Sequence, residues 1–291
     1  MLGVVNLDKP VGPTSHDMVG LLRRLTGTRR IGHAGTLDPL ASGVLPILVG
    51  GATRLSQELT GGPKRYDATV RLGWRSDSDD AEGPLAPVGA PVPSDDEIRD
   101  ALRGFVGTFD QRPPAFSARK QAGERAYRAA RAGEPLLLEP RRVTIDAIEV
   151  RAITRAADHV DVEIDLRCGA GTYVRALARD VGELLGCGGY LEALRRTQAA
   201  GLRVEDALTP QRLEAMAAEG RLEQALLPAV GLLDLPQLRL DDEEARRFVH
   251  GSTLRVVAPG DGRHAVLADG RLLGIGTLQD GMLQPDKVLV E

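Results

Sequence analysis

The chain has 291 residues, of which 42% are hydrophobic and 27% are charged, and its net charge is −4. This length favours one large domain plus a small one, and no apolar run approaches the roughly 20 residues of a membrane-spanning helix. Two cysteines, Cys168 and Cys187, are too few for a disulfide framework or a cysteine-rich metal cluster. Because the N-terminus also lacks the basic start and cleavage site of a secretory signal, we expect a reduced, cytoplasmic protein.

The N-terminal part of the sequence predicts short strands and one helix. Residues 4–7 predict a strand that leads into a turn rich in proline and glycine, and a helix follows with Ser15 near its start. Residues 44–49 form an apolar run, which predicts a buried element. Residues 66–74 alternate between apolar and polar side chains, as a strand with one buried face does.

The middle of the sequence contains a predicted loop, two helices and a strand. Residues 83–93 are rich in proline and glycine and predict a loop. Ser94 then begins a helix, with Glu97 three residues later as the second member of a capping box. Residues 160–166 alternate strictly and predict a strand, which is followed by a helix from about 172 to 185. Because strands and helices are interspersed without a repeating βαβ rhythm, we predict an α+β fold.

The sequence changes in character after Pro228. Short apolar runs are separated there by turn signals such as Asp269-Gly270. This pattern predicts a small β-rich domain at the C-terminus.

The stretch GHAGTLDPLASGVLP, residues 32–46, places a single carboxylate in a loop of glycines, small residues and prolines. That carboxylate is Asp38, and the proline that follows it disfavours a helical conformation at this position. Nearby glycines let a ligand approach the backbone closely. We interpret the loop as one that presents Asp38 to a ligand; the alternative is that Asp38 only begins a turn or caps a helix.

Positive and negative charges are segregated along the chain. Residues 112–142 contain eight basic and three acidic side chains, whereas acidic residues gather at 77–82, 95–100 and 241–244. An acidic protein with such segregation can still present one cationic face, and such a face attracts phosphates. The alternative is that residues 112–142 are only a solvated helix.

Several ordered stretches resemble the bacterial tRNA pseudouridine synthase B family. Besides residues 32–46, they are LDKPVGPTSH at 7–16, KRYDA at 64–68, PPAFSARK at 113–120, GTYVR at 171–175 and LRR at 194–196. In the stretch at 113–120, Phe116 stands where the family commonly has tyrosine, a departure that should not affect the chemistry.

The resemblance implies a pseudouridine synthase fold with a central mixed or antiparallel sheet. It also implies a catalytic domain over residues 1–231, with an RNA-clamping insertion at about 112–142. A small PUA-like RNA-binding domain would follow over residues 232–291.

The activity implied by the resemblance is isomerisation of the uridine at position 55 in the tRNA T loop. The partner would be the T arm of tRNA, bound by a monomer, with no membrane, metal or small-molecule cofactor. The isomerisation changes no oxidation state, so it requires no redox cofactor. A carboxylate suffices, and attack at ribose C1′, attack at uracil C6 and proton abstraction at C2′ all remain open.

The catalytic residues implied by the resemblance are Asp38, Tyr66 and Arg175. Arg175 would pair with Asp38, which would keep the carboxylate ionised and oriented. Tyr66 would stack on the flipped uracil and could help to move the C5 proton. Taken alone, Tyr66 could be an ordinary strand aromatic and Arg175 an ordinary surface arginine.

The substrate-binding residues implied by the resemblance are His33, Tyr66, Tyr173 and Leu194. The uridine must leave its stack to reach Asp38, and side chains must then hold the extruded base. His33 would insert into the T loop, while Tyr173 and Leu194 would line the uridine pocket. Taken alone, His33 could be an ordinary loop residue and Leu194 a core leucine.

Two other functions remain as alternatives. The first is a tRNA-binding or tRNA-folding module without catalysis, whose function would survive replacement of Asp38. The second is a guide-RNA-dependent rRNA pseudouridine synthase. The long insertion favours direct tRNA binding over the second alternative.

Overall fold

The structure is a computed structural model that describes residues 1–116, 120–121, 124–125, 138–257 and 260–289. It forms two compact units. The first comprises Met1–Pro39, Gly43–Gly62 and Ala199–Glu291, and the second comprises Leu40–Ser42 and Pro63–Gln198. Within the described ranges, no helix has the length and apolar character needed to cross a membrane.

Strands and helices are interspersed along the chain, which confirms the predicted α+β class. The helices of the described part are α1 (Ser15–Thr26), α2 (Ser56–Thr60), α3 (Asp95–Gly104), α4 (Val174–Leu184), α5 (Pro210–Ala218) and α6 (Asp242–Val249). Its strands are β1 (Gly3–Lys9), β2 (Ile31–His33), β3 (Ala41–Val49), β4 (Lys64–Leu72), β5 (Trp74–Ser76), β6 (Leu85–Pro87), β7 (Gly107–Gln111), β8 (Lys120–Gln121), β9 (Glu124–Arg125), β10 (Arg141–Arg155), β11 (Val160–Cys168), β12 (Gly189–Ala199), β13 (Leu202–Arg203), β14 (Gln237–Arg239), β15 (Leu254–Arg255), β16 (Gly262–Ala268), β17 (Arg271–Gln279) and β18 (Met282–Val288).

Helices α1 and α3 begin at capping boxes. The predicted box of α3 is confirmed, because the Ser94 hydroxyl accepts from the Glu97 N–H and the Glu97 carboxylate accepts from the Ser94 N–H. Thr14 and Asp17 form the same arrangement at the start of α1. Such a box satisfies two backbone donors that a helix start otherwise leaves unpaired. Gly27, in the left-handed conformation at φ 69°, ends α1.

The first unit contains the N-terminal strands and a five-stranded C-terminal sheet. Strand β1 runs antiparallel to β3, with Leu7 opposite Leu45, and β2 also pairs with β3. The C-terminal strands are ordered β14-β16-β17-β18-β15, and only the β14–β16 pair is parallel. The fully buried Phe248 of α6 packs on this sheet, close to Gly276, where a Cβ atom would lie 3.1 Å from its ring.

The second unit is built on the strand order β12-β4-β11-β10-β7. Strands β4, β11, β10 and β7 are successively antiparallel. The inward side chains of β4 and β11 pack with apolar residues of α3 and α4 in one hydrophobic core. This core contains Tyr66 of β4 and apolar neighbours of Arg175 in α4.

Three details differ from the sequence-based expectations. The predicted loop at 83–93 contains β6, which pairs with β5 and so satisfies backbone groups of that segment. The helix expected from about 172 begins at Val174, because Tyr173 is still extended. The predicted β-rich C-terminal region also contains α6, whose start is capped by Asp241. Much of the predicted insertion, residues 117–119, 122–123 and 126–137, lies outside the described residues.

Candidate active site

Asp38 lies in the loop between β2 and β3, and it is half-buried. Hydrogen bonds hold the residues on both sides of it. The Ser15 hydroxyl accepts from the Leu37 N–H at 2.8 Å and donates to the Leu37 carbonyl at 2.9 Å. On the other side, the Pro39 carbonyl accepts from the Gly12 N–H at 2.8 Å. The backbone that presents Asp38 is therefore fixed at two points.

The side chain of Lys9 also binds this loop. Its side chain is fully buried, and Nζ donates to the carbonyls of Pro10 at 2.8 Å and Pro13 at 2.7 Å. A third contact reaches the Pro39 carbonyl at 3.4 Å. A buried ammonium requires such acceptors, because removing an ion from water is otherwise very unfavourable. The lysine thus joins the turn after β1 to the residue that follows Asp38.

His33 is the last residue of β2 and is half-buried. Its backbone is fixed by pairing with Ile47 of β3, and its carbonyl accepts from the Ser56 hydroxyl at 3.4 Å. His33 and Asp38 therefore belong to the same compact unit and are separated by one short loop.

Tyr66 lies in β4 of the second unit, opposite Leu166 of β11, and only 6% of its surface is exposed. It packs in the main hydrophobic core of this unit. Leu40, two residues after Asp38, belongs to the same core, and the half-buried Leu194 of β12 packs against it. The core thus brings together Tyr66 and Leu194, two of the predicted site residues.

Tyr173 immediately precedes α4 and is held by a buried side chain of β7. The Gln111 carboxamide accepts from the Tyr173 N–H at 2.9 Å and donates to the Tyr173 carbonyl at 3.1 Å. Gln111 is only 1% exposed. Tyr173 is therefore fixed through its backbone, in the same way as the residues that flank Asp38.

Arg175 lies in the first turn of α4 and is 6% exposed. Its Nη1 lies 3.4 Å from the carboxylate of Asp80, which is also buried, and it donates to the Ser78 carbonyl at 3.2 Å. Its Nη2 donates to the Phe116 carbonyl at 2.9 Å. Arg175 is thus a buried, bound arginine and not the surface arginine of the alternative interpretation. The predicted pairing of Arg175 with Asp38 stays a prediction.

A second ion pair lies one helical turn further along α4. Arg179 donates to Asp79 at 2.9 Å, to Asp180 at 2.7 Å and to the Arg112 carbonyl at 2.9 Å. Burial raises the pKa of Asp79 to about 6, although the positive charges of Arg179 and Arg175 oppose that rise. Asp79 and Asp80 therefore bind two arginines that lie one turn apart on α4.

Four residues that contribute to this arrangement had no role assigned from sequence: Lys9, Ser15, Asp80 and Gln111. Lys9 and Ser15 lie within the matched stretch at 7–16, so the resemblance already pointed to their segment. Asp80 belongs to an acidic run that looks like a solvated surface, and Gln111 is 62 residues from its partner. The sequence around Asp80 and Gln111 therefore did not indicate that either residue contributes to the site. Among the described residues, no group of three or more His, Cys, Asp and Glu side chains could hold a metal ion.

Descriptions of one protein family match most of the chain. "TruB family pseudouridylate synthase (N terminal domain)" matches residues 23–174. "tRNA pseudouridylate synthase B C-terminal domain" matches residues 175–234, and "Pseudouridine synthase II TruB, C-terminal" matches residues 236–289.

Curated relatives named "tRNA pseudouridine synthase B" match nearly full length. The protein of Mycobacterium sp. (strain KMS) is 45% identical over 292 residues, which cover 99% of this chain and 95% of the relative. The protein of Thermobifida fusca (strain YX) is 44% identical over 289 residues, which cover 97% of each chain. The protein of Ralstonia pickettii (strain 12J) is 41% identical and covers 99% of this chain and 94% of the relative.

Solved structures with a similar fold include the one described as a Cbf5-Nop10-Gar1 complex. The matching chain is 26% identical with a TM-score of 0.73, and the match covers 99% of this chain and 85% of that one. The structure described as an H/ACA RNP bound to a substrate RNA containing 2′-deoxyuridine gives the same values.

Proposed function

Because the chain belongs to the TruB family of pseudouridylate synthases, we propose that it converts uridine 55 of the tRNA T loop to pseudouridine. The carboxylate of Asp38 carries out the chemistry. The relatives at 41–45% identity are named for action on tRNA, which supports tRNA as the substrate. Action on tRNA would place the protein in the cytoplasm.

The observation on which the proposal chiefly depends is the fixed loop around Asp38. Pseudouridine formation breaks the bond between N1 of uracil and C1′ of ribose and makes a bond from C5 to C1′, while C5 loses a proton and N1 gains one. A nucleophilic or basic carboxylate must meet its target in one orientation, and preorganised groups lose little entropy in doing so. Ser15 and Gly12 fix the residues on either side of Asp38, which supports such a role.

Tyr66, Tyr173 and Leu194 are proposed to hold the extruded uracil. Extrusion costs roughly a few kcal/mol, which stacking and contacts with the edge of the base can offset. Tyr66 is anchored in the middle of a sheet and Tyr173 by Gln111, so both residues occupy defined positions. His33 is proposed to occupy the space that the uridine leaves in the T loop.

Arg175 is proposed to orient the Asp38 carboxylate. A guanidinium has five N–H donors, so its contacts with Asp80, Ser78 and Phe116 are compatible with a further carboxylate partner. A guanidinium beside Asp38 would hold its carboxylate in one orientation. Asp80 and the two carbonyls would then hold the guanidinium in place.

The protein is proposed to act as a monomer on the T arm, without a guide RNA or protein partners. The similarity to Cbf5 chains in larger complexes makes a guide-dependent enzyme the alternative to be tested. The matched relatives named for tRNA have the higher identity, 41–45% against 26%, which favours the stand-alone reaction.

The test is to incubate the purified protein with a T-arm transcript alone and to map pseudouridine in the product. We expect conversion at the position equivalent to uridine 55, and none in a transcript that has cytidine there. Conversion that requires added guide RNA and partner proteins would favour the alternative enzyme. Tight binding of the transcript without conversion would instead favour a tRNA-binding module.

A further inference from the structure

Gln111 is a buried polar residue that takes no direct part in the proposed chemistry. It ends β7, where side chains alternate between the two faces of the sheet, so that Phe109 and Gln111 point inward and Asp110 is exposed. Phe109 packs against the main core of the second unit. The strand therefore places one carboxamide, 1% exposed, beside the start of α4.

The Gln111 carboxamide satisfies both backbone groups of Tyr173. Tyr173 precedes α4 in an extended conformation, and its own side chain makes no capping hydrogen bond. Its carbonyl accepts from the Leu177 N–H at 3.1 Å, as the first bond of the helix, and also from Gln111. Its N–H donates to Gln111 Oε1 at 2.9 Å. Gln111 thus fixes both the backbone of Tyr173 and the point at which α4 begins.

The segment that follows Gln111 is bound to the same helix. Arg179 donates to the Arg112 carbonyl, and Arg175 donates to the Phe116 carbonyl, each at 2.9 Å. Gln111 immediately precedes the basic insertion, which begins at about residue 112, and we call residues 111–116 the root of the insertion. This root is therefore attached at three positions to residues 173–179, the segment that contains Tyr173 and Arg175.

We propose that Gln111 is a positioning residue for pseudouridine formation. It holds Tyr173 against the extruded uracil and sets the direction in which the first turn of α4 presents Arg175. The inference rests on the proposed function, because it assigns Gln111 a role only through Tyr173 and Arg175. It also gives the insertion a direct connection to the residues that hold the base, since its root begins at Gln111.

The physical reason lies in the backbone hydrogen bonds that would be lost without Gln111. Without Gln111, the Tyr173 N–H would lose this partner and the Tyr173 carbonyl would keep the Leu177 N–H. A poorly solvated N–H without a partner is unfavourable, so the backbone at Tyr173 would shift to find another. Misplacement of a reacting or orienting group by about 1 Å can lower a rate by about 100-fold. Contacts of the RNA with the rest of the protein would be unaffected, so turnover should fall while the affinity for the RNA stays nearly the same.

The test compares Gln111→Met with the native protein and with Asp110→Glu. Methionine has a similar length to glutamine but makes no comparable hydrogen bonds, whereas Asp110→Glu alters the neighbouring exposed position and keeps its charge. We would measure the single-turnover rate constant with enzyme in excess over a saturating T-arm transcript, the Kd for that transcript, and the Tm. We expect Gln111→Met to lower the rate constant by about 10- to 100-fold, with Kd changed less than about threefold. Asp110→Glu should match the native protein.

The inference is overturned if Gln111→Met keeps the native rate constant at saturation. It is also overturned if the substitution lowers only the Tm and the fraction of active protein, while the active fraction reacts at the native rate. If Gln111→Met does not fold, Gln111→Glu decides, because it can accept from the Tyr173 N–H but, when ionised, cannot donate to the carbonyl. A lowered rate constant in Gln111→Glu supports the positioning role, and a native rate constant contradicts it. A native protein that converts no uridine would contradict the proposed function itself, which is a separate outcome.

Discussion

The hydroxyl of Ser15 makes two hydrogen bonds to the backbone of Leu37, the residue before Asp38. It accepts from the N–H at 2.8 Å and donates to the carbonyl at 2.9 Å, and both residues are buried. Ser15 is the first residue of α1, a helix whose own start is fixed by the Thr14–Asp17 capping box. The position of Asp38 is thus tied, through Leu37, to a rigid element whose first residue lies 22 residues before Leu37.

We predict that Ser15→Ala slows turnover more than it weakens tRNA binding. Loss of the hydroxyl leaves two buried backbone groups without this partner, at about 1–3 kcal/mol each, and frees the loop that presents Asp38. The single-turnover rate constant should fall by about 10-fold or more, with Kd nearly unchanged. Ser94→Ala is the matched control, because it removes the cap of α3 at a stability cost of about 1 kcal/mol and should leave the rate constant native. Equal rate constants in the two variants would contradict the prediction.

We predict that Asp80→Ala strongly destabilises the protein. Asp80 and Arg175 are both buried, and removal of one partner of a buried pair typically costs about 3–5 kcal/mol because the other charge remains in the interior. The free energy of unfolding from urea titrations measures this loss. Asp100→Ala removes the exposed partner of Arg103 and should cost less than about 1 kcal/mol. A loss for Asp80→Ala as small as that of the control would mean that Arg175 is held by the carbonyls alone.

We predict that the contribution of Asp79 to the free energy of unfolding declines as pH rises from about 4 to about 6. Burial raises its pKa from 3.8 to about 6, so between these values the folded state binds a proton that the unfolded chain has released. A rise in pH through this window therefore favours unfolding, by an amount on the order of 2–3 kcal/mol. Asparagine does not titrate, so the free energy of unfolding of Asp79→Asn should increase relative to that of the native protein as pH rises from about 4 to about 6. If the free energies of unfolding of the native protein and Asp79→Asn differ by the same amount from pH 4 to pH 7, the prediction is refuted.

We predict that Tyr66→Phe lowers turnover more than tRNA binding. The ring that is proposed to stack on the uracil is kept, whereas the hydroxyl that is proposed to assist removal of the C5 proton is lost. Tyr190→Phe is the matched control, since it removes the hydroxyl of another buried tyrosine, one that accepts from Arg71 at 3.5 Å. Rate constants and Kd values for the T-arm transcript would be measured for both. Equal losses of turnover and binding in Tyr66→Phe would mean that Tyr66 only stacks.

Local features of the fold were predictable from the sequence, and the contacts that hold the site were not. The cap at Ser94 and the alternating strand β11 depend on residues within a few positions of each other, and both are confirmed. The partners of Arg175 depend on the tertiary fold: Asp80 reaches it because residues 79–81 pair with Leu191 at the start of β12. No periodicity or spacing in a single sequence encodes such a contact.

The candidate site was predictable mainly from the resemblance. It named Asp38, and the structure adds the buried side chains that hold the residues next to it. Lys9 illustrates the difference. Its place in the matched N-terminal stretch did not explain why a lysine stands there. The structure explains it, because three carbonyl groups accept from its fully buried ammonium.

The most direct test of the account is tritium release from a tRNA transcript that contains 5-tritiated uridine, with no cofactor added, for the native protein and Asp38→Asn. Asparagine has nearly the same shape as aspartate but is a far poorer nucleophile and base. We predict release from the T-loop uridine by the native protein, no measurable release by Asp38→Asn, and similar tRNA Kd values for both. Appreciable release by Asp38→Asn would contradict the central claim that the carboxylate of Asp38 carries out the reaction.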